Sequence, residues 1–121
     1  MMLKLAAVEN EIGWARPPVS LVRERAWLVQ ATVAHVAGVA LKDLCARTRR
    51  GPKVAFARQI AMYLSHIVFE MSLRQVARAF GRDRSTAAHA IRHIEELRED
   101  PEVDRMLGLL ETLLLRAERL S

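Results

Sequence analysis

The stretch MSLRQVARAFGRDRSTAAHAIRHIEELR, residues 71–98, decides the fold of this chain. It contains two runs of apolar residues that recur at helical spacing. The first run consists of Leu73, Val76, Ala77 and Phe80, and the second consists of Ala87, Ala90, Ile91, Ile94 and Leu97. Gly81 ends the first pattern, and Asp83 is suited to the N-cap of the second helix. Two helical patterns that meet at so short a break predict a helix-turn-helix.

The second predicted helix carries small, hydrogen-bonding and basic side chains on its outer face near the N-terminus. These residues are Arg84, Ser85, Ala88, His89 and Arg92. In a helix-turn-helix, the N-terminal end of the second helix normally enters the major groove of DNA. Side chains of these types suit contacts with base edges and phosphates, so the stretch predicts a DNA-binding surface.

Three segments resemble the C-terminal DNA-binding domain of DnaA, the bacterial replication initiator. Residues 57–64, ARQIAMYL, resemble the R-Q-x-A-M-x-L helix of that family. Residues 72–80, SLRQVARAF, resemble its S-L-x-x-I-x-x-x-F helix, and residues 82–90, RDRSTAAHA, resemble its signature R-D-H-S/T-T-V-x-H-A/G. The similarity extends from about Ser20 to the C-terminus. The signature is specific, because a generic helix-turn-helix does not require it.

The chain departs from the family pattern at three points. Gly81 alone precedes the Arg-Asp pair where the family usually has two glycines, and Arg84 stands where the family has histidine. The sequence also contains no G-x-x-x-x-G-K-S/T phosphate loop, so nucleotide binding and duplex melting are not implied. Arg84 is expected to contact guanine if the helix enters the groove in register, or a phosphate if the changed turn shifts the helix tip. The missing glycine favours the second outcome.

The resemblance implies a set of contacts with double-stranded DNA. The residues expected to contact phosphates are Lys53, Arg82, Thr86 and His89. The residues expected to read base edges in the major groove are Asp83, Arg84 and Ser85. Arg58 is expected to reach into the minor groove, because a groove narrowed by A·T steps has an enhanced negative potential that attracts arginine. A surface salt bridge is the alternative for Arg58.

The positive charge of the chain is concentrated around the same stretch. Residues 42–93 hold eleven Lys and Arg against three Asp and Glu, a net charge of +8. Residues 1–41 carry +1 and residues 94–121 carry −4, so the whole chain carries +5. A basic surface around a helix-turn-helix is the electrostatic footprint of a nucleic-acid partner. A solvated basic face is the alternative.

The whole chain predicts an all-α fold of about six helices. A domain over residues 20–121 is expected to follow a flexible N-terminal arm, residues 1–19, in which Trp14 either docks on the domain or contacts a partner. The other predicted helices run from Leu21 to about Ala37 after an N-cap at Ser20, over Leu41–Ala46, over Lys53–Phe69, and from Pro101 onward after a cap at Asp100. Leu21 is expected to face inward.

The last predicted helix carries more leucine than one packed face requires. Its main stripe, at heptad-like spacing, consists of Val103, Met106, Leu110, Leu113, Ala117 and Leu120. Leu107 and Leu114 widen this stripe, while Leu109 and Leu115 fall at or outside its edge. The stripe either packs on the domain or associates with a partner helix, so the oligomeric state stays open.

Neither catalysis nor cofactor binding is indicated. His89 and His93 stand one helical turn apart, but no Cys or carboxylate pair is placed to complete a metal site. No acid is placed to orient His89 toward Ser85, so an enzyme is not expected. The single cysteine, Cys45, is expected to be a buried small hydrophobe. No apolar run is long enough to cross a membrane, so we expect a cytoplasmic protein at the nucleoid.

Two functions remain open. The first is double-stranded DNA binding at DnaA-type boxes, in the control of replication initiation or of nearby transcription. The second is a protein-interaction module that binds the DnaA initiator or its regulators without reading DNA itself. The first is the main hypothesis, and the altered turn and the leucine-rich last helix support the second as its alternative.

Overall fold

A helix that is buried on most sides lies at the centre of the fold. The computed structural model describes residues 19–46 and 50–119, and within them it contains six α-helices and no strand. These helices are α1 Val19–Ala37, α2 Leu41–Leu44, α3 Pro52–Phe69, α4 Leu73–Phe80, α5 Arg84–Leu97 and α6 Pro101–Arg119. None of the six is long and apolar enough to cross a membrane. The predicted all-α fold is confirmed, while the predicted N-terminal arm and Trp14 lie outside the described residues.

Helix α3 is central because it is apolar around most of its circumference, and it contacts each of the other five helices. Pro52 lies in its first turn, where the missing N–H breaks no helical hydrogen bond. Residues 60–65 are all buried, and Met62 and Leu64 are almost completely inaccessible. Burial on all sides is typical of a helix in the core of a helical domain.

Helix α1 packs along α3 through a face that is offset from the predicted one. Its buried apolar residues are Ala26, Val29, Val33 and Ala34. Leu21 is 48% exposed, so its predicted inward placement is wrong. The inward face passes through Val22 instead, because neighbouring side chains on a helix point about 100° apart. The helix begins at Val19, so Ser20 lies inside it rather than at its N-cap.

Helix α6 packs on α1 and α3 through a stripe whose register differs from the predicted one. Its buried residues are Leu107, Leu110 and Leu114. Leu113 is 53% exposed, so its predicted place in the inward stripe is wrong. From Val103 the buried stripe proceeds in steps of four and three residues, so Leu107 and Leu114 lie in the core. Leu109 and Leu115 are 63% and 44% exposed, as predicted, while Leu120 lies outside the described residues.

Arg98 ties the end of α5 to α3 and α6. Its Nη1 donates to the Tyr63 hydroxyl at 3.0 Å and to both carboxylate oxygens of Glu111 at 3.1 Å. Its Nε donates to Asp104 Oδ1 at 2.7 Å, in the first turn of α6. These hydrogen bonds, the one with Glu111 first, raise the pKa of Arg98. Because hydrogen bonds between charged groups are the strong ones, this cluster holds the C-terminal end of α5 against α3 and α6.

Cys45 is exposed at the C-terminal end of α2, so the expectation that it is buried is wrong. Its Sγ donates a hydrogen bond to Gln30 Oε1 at 3.0 Å. Partial burial raises the pKa of the thiol, so it stays protonated at neutral pH. The prediction that Cys45 is buried failed because it treated the thiol as an apolar group, whereas the thiol has a polar partner on α1.

Candidate nucleic-acid interface

The turn between α4 and α5 is built on a single glycine. Gly81 ends α4 with a φ of 64°, in the left-handed region. The N–H of Gly81 donates to the Arg78 carbonyl at 3.3 Å, and the N–H of Arg82 donates to the Ala77 carbonyl at 2.9 Å. This pair of bonds is a Schellman motif, which satisfies carbonyls at the end of a helix. Among the residues of this turn only Gly81 has a positive φ, so one glycine completes the turn, and the expected shift of the helix tip stays a prediction.

Both helices of the motif are capped by their own side chains. In α4, Ser72 and Gln75 form a reciprocal capping box. In α5, Asp83 Oδ1 accepts hydrogen bonds from the Thr86 N–H at 2.8 Å and from the Ser85 hydroxyl at 3.0 Å, which confirms the predicted N-cap. Hydrogen bonds from Thr86, and then from Ser85, lower the pKa of Asp83. The carboxylate is therefore charged and held in one arrangement at neutral pH.

The first two turns of α5 present a polar and basic face. The exposed residues of this face are Arg84, Ser85, Thr86, His89 and Arg92. The opposite face is buried through Ala87, Ala90, Ile91 and Ile94, as the apolar spacing predicted. The imidazole rings of His89 and His93 stack with their centroids 6.3 Å apart. In the described part of the chain, no three His, Cys, Asp or Glu side chains are grouped to hold a metal ion.

Arg58 lies in the core rather than on the surface. Its side chain is 6% exposed, and its Nε donates to the Leu44 carbonyl at 3.0 Å. Its Nη2 donates to the carbonyls of Asp43 at 3.1 Å and Ala46 at 3.4 Å. These carbonyls stand at the end of α2, where a helix leaves its last C=O groups without helical partners. Within the described residues Arg58 therefore does not form the surface salt bridge that was its alternative, and its minor-groove contact stays a prediction.

Arg82 joins the same carbonyl cluster from the turn. Its Nη2 donates to the Ala46 carbonyl at 3.1 Å, and its Nη1 donates to the Gly81 carbonyl at 3.3 Å. The Ala46 carbonyl thus accepts hydrogen bonds from two arginines. Burial, and then the positive charge of Arg82, lower the pKa of Arg58. Arg82 itself is half-buried and directly precedes the N-cap of α5.

A shallow groove separates α3 from α5 next to this cluster. Its lining consists of Ala55, Arg58, Gln59, Met62, Arg82, Thr86, His89 and Ala90. Four of the eight residues expected to contact DNA therefore share one concave surface. Asp83 and Ser85 meet through their hydrogen bond at the start of α5. Arg84 and Lys53 are exposed in the first turns of α5 and α3, outside this lining.

The sequence pattern did not single out one exposed arginine and misplaced another. Arg50 is exposed immediately before α3, within the basic segment RTRRGPK, residues 47–53. That run of charge marked the segment but did not single out Arg50. Arg58 follows Val54 by four residues and precedes Ala61 by three, so it falls on an inward stripe of α3.

The fold and this surface define a helix-turn-helix domain with a basic face. The family model of the bacterial dnaA protein helix-turn-helix matches residues 27–94, which is more than half of the chain. The chain therefore belongs to the family of the bacterial DnaA helix-turn-helix, as the sequence resemblance predicted.

Two curated relatives show how far this similarity extends. The chromosomal replication initiator protein DnaA of Laribacter hongkongensis is 38% identical over 88 residues, which cover 71% of this chain and 18% of that protein. The protein of the same name from Bartonella quintana is 34% identical over 114 residues, which cover 93% of this chain and 23% of that protein. The chain thus spans about a fifth of the length of these relatives.

Solved structures agree with the sequence comparison. A crystal structure of a DNA replication initiation factor has a TM-score of 0.72 and 33% identity over 79% of this chain and 30% of its own. The replication initiator DnaA bound to AMPPCP and single-stranded DNA has a TM-score of 0.67 and 33% identity over 78% of this chain and 28% of its own. The similarity therefore includes the arrangement of the helices as well as the motifs.

Proposed function

We propose that this chain binds double-stranded DNA through the N-terminal part of α5, in the control of replication initiation or of transcription near DnaA-type boxes. The observation that carries the proposal is the preformed tip of α5. Asp83 Oδ1 is fixed by two hydrogen bonds, and Arg84 is exposed beside it. A tip that is ordered before DNA arrives loses less conformational entropy on binding. Membership of the DnaA helix-turn-helix family supports the same surface.

Residues at the tip of α5 are assigned to base edges. The rigid fork of an arginine matches guanine O6 and N7, so Arg84 suits a guanine contact. The charged carboxylate of Asp83 can accept a hydrogen bond from cytosine N4, and the Ser85 hydroxyl can either donate or accept. Because the turn is complete with one glycine, we assign Arg84 to a base rather than to a phosphate.

Residues around the groove between α3 and α5 are assigned to phosphates. Arg82, Thr86 and His89 line this groove and face the same concave surface. Lys53 adds a positive charge at the start of α3. Such contacts fix the register of the protein on the duplex and carry no sequence information directly.

We assign the contact with the DNA minor groove to Arg50 rather than to Arg58. The Nε and Nη2 atoms of Arg58 donate to backbone carbonyls, whereas Arg50 is exposed just before α3. Insertion of a free arginine into a narrow minor groove is favoured by its negative potential. Arg50 thus takes the role that the resemblance implied for Arg58.

Fluorescence anisotropy with labelled duplexes tests the proposal. One duplex carries a DnaA-type box and the other carries the same bases in scrambled order. We expect tighter binding to the box and a loss of affinity with rising salt, because bound Lys and Arg displace counterions. Arg84→Ala should reduce the difference between the duplexes, whereas Arg105→Ala, which removes an exposed charge from α6, should not. Absence of binding to both duplexes at low salt would contradict the proposal.

A protein-interaction module is the second candidate function. Leu109 and Leu113, one turn apart on the outer side of α6, are 63% and 53% exposed. Single exposed leucines are ordinary, but two neighbours on one helix face favour contact with another protein. Capture of purified DnaA initiator by the parent chain, and not by Leu109→Glu, would support this function. It would be contradicted if both proteins captured the initiator equally or not at all.

A further inference from the structure

We propose that His89 and His93 form a proton-binding pair on the DNA-facing side of α5, and that this pair takes up protons from solution when a duplex binds. The proposal rests on the proposed DNA binding, and it adds a regulation of the same surface by pH. Affinity for DNA then rises as the pH falls through the range in which imidazoles become charged.

The two imidazole rings form one unit on the surface of α5. They stand one helical turn apart, with their ring planes 4° from parallel and their centroids 6.3 Å apart. His89 is exposed and lines the groove between α3 and α5, while His93 is half-buried in the next turn. Within residues 19–46 and 50–119, neither ring is hydrogen-bonded to another group, so both have a nitrogen that can bind a proton.

The charged groups around the pair come from three parts of the fold. Arg58 of α3 and Arg82 of the turn line the groove together with His89. On α5 itself, Arg92 and Glu96 are exposed next to the pair. Helix α4 also packs on α5, but none of its described residues lines the groove. A duplex phosphate at His89 therefore adds a negative charge where three arginines and one glutamate already lie.

The duplex supplies the charge that favours protonation. The phosphate contact assigned to His89 places an opposite charge within about 4–6 Å of its imidazole, which favours the charged form. The ring of His93 is 6.3 Å from that of His89, an additional separation that is shorter than the Debye length of about 8 Å. Repulsion between two like charges at this separation keeps the uptake below two protons. Each proton that binds converts a neutral imidazole to an imidazolium beside the phosphate.

DNA affinity should depend on pH in one direction. Because the complex favours the imidazolium form, the gain in affinity is fully present at low pH and is lost as the pH rises through the range of imidazole titration. We expect the parent to bind the box duplex about tenfold more tightly at pH 6 than at pH 8. A tenfold change over two pH units corresponds to an average uptake of about half a proton per complex.

Fluorescence anisotropy at pH 6, 7 and 8 and constant ionic strength tests the inference on the parent, His89→Gln, His93→Gln and the double variant. Circular dichroism first shows that each protein is helical. Glutamine keeps a polar side chain but does not titrate in this range. Each single variant should keep a ratio of affinities at pH 6 and pH 8 of about three, and the double variant a ratio below about two. Isothermal titration calorimetry at pH 7, in two buffers of different ionisation enthalpy, measures the proton uptake directly.

The other two histidines of the chain provide matched controls. His35 is exposed in the last turn of α1, and the Nδ1 of His66 on α3 lies 2.7 Å from the Met71 carbonyl oxygen. His35→Gln and His66→Gln should keep the tenfold ratio of the parent. Equal affinity of the parent at pH 6 and pH 8, the full ratio in any variant of the pair, or loss of the ratio in a control would overturn the inference alone. Failure of the parent to bind any duplex at pH 6 and low salt would overturn the proposed function as well.

A measurement on the parent chain decides the matter if a variant does not fold. Nuclear magnetic resonance can follow the ring C–H shifts of the histidines against pH, in the free protein and in the DNA complex. The midpoints of protonation of His89 and His93 should move to higher pH in the complex, while that of His35 stays in place. An unchanged midpoint for either ring of the pair would overturn the inference.

Discussion

Replacement of Gly81 by alanine is expected to destabilise the domain through the backbone alone. Gly81 has a φ of 64°, and the left-handed region costs an L-residue roughly 1–2 kcal/mol. A Cβ added at Gly81 meets no atom within 4 Å, so no clash adds to this penalty. Alanine also lowers the entropy of the unfolded chain, which offsets about 0.4–1 kcal/mol. The net loss in the free energy of unfolding is therefore about 1 kcal/mol.

The same replacement at Gly108 is a matched control with the opposite sign. Gly108 lies inside α6, and a Cβ added there also meets no atom within 4 Å. In a helix interior, alanine is more favourable than glycine by roughly 0.5–1 kcal/mol. For a domain of about 100 residues, 1 kcal/mol shifts Tm by about 4–8 °C. The two variants should therefore melt at least about 6 °C apart.

Thermal and urea unfolding, followed by circular dichroism, measure this difference. Anisotropy on the folded proteins adds a second readout, because the turn at Gly81 sets where α5 begins. Gly81→Ala should weaken DNA binding, and Gly108→Ala should bind like the parent. A Gly81→Ala protein as stable as the parent would show that residue 81 does not need a left-handed backbone, and it would refute the one-glycine turn.

Three further predictions concern the cap, the tip and the last helix. Hydrogen bonds from Thr86 and Ser85 lower the pKa of Asp83 in the folded protein. The charged carboxylate therefore contributes its full stabilisation above the ordinary Asp pKa of about 3.9, and this contribution is lost as the pH falls through the lower pKa of the folded state. The difference in Tm between the parent and Asp83→Ala should therefore narrow from pH 6 to pH 3, and a constant difference would exclude a role for the charge. Arg84→His should lose a guanine preference worth roughly 1–3 kcal/mol in selection of duplexes from a random pool, and identical selected sequences would contradict the base contact. Leu115→Glu, at a position that is 44% exposed, should change stability by less than about 0.5 kcal/mol and leave the mass in light scattering unchanged; a fall in mass relative to the parent would show that Leu115 is covered in an assembly.

The helix-turn-helix could be predicted from the sequence because its signals are local. Gly81 and Asp83 act through backbone groups within five residues of themselves. The apolar spacing of α5 also determines which side faces outward, and that side is exposed as predicted. Apolar periodicity and capping residues were therefore sufficient to predict α5 and its exposed face.

The errors arose where the outcome depends on distant partners. Leu21 and Leu113 each belong to a helix with apolar residues around more than one face. Which of these faces is buried depends on how α1 and α6 pack together, and periodicity alone does not contain that information.

Arg58 shows the same limit at the candidate site. The sequence marked it as a basic residue in a family motif, yet its hydrogen-bond partners lie twelve to fifteen residues away, at the end of α2. A pattern of residue types does not show that Arg58 and the end of α2 come together in the fold. The contacts with DNA likewise depend on a second molecule, so their residues stay predictions.

The measurement that tests the central claim most directly is a titration of the isotope-labelled chain with the box duplex, followed by amide chemical shifts. We expect the largest shift changes at residues 82–89 and 50–53, with the outer face of α6, residues 109–116, almost unchanged. A scrambled duplex should perturb the same residues at higher concentrations. Shift changes confined to α6, or none anywhere at low salt, would contradict DNA binding through the tip of α5.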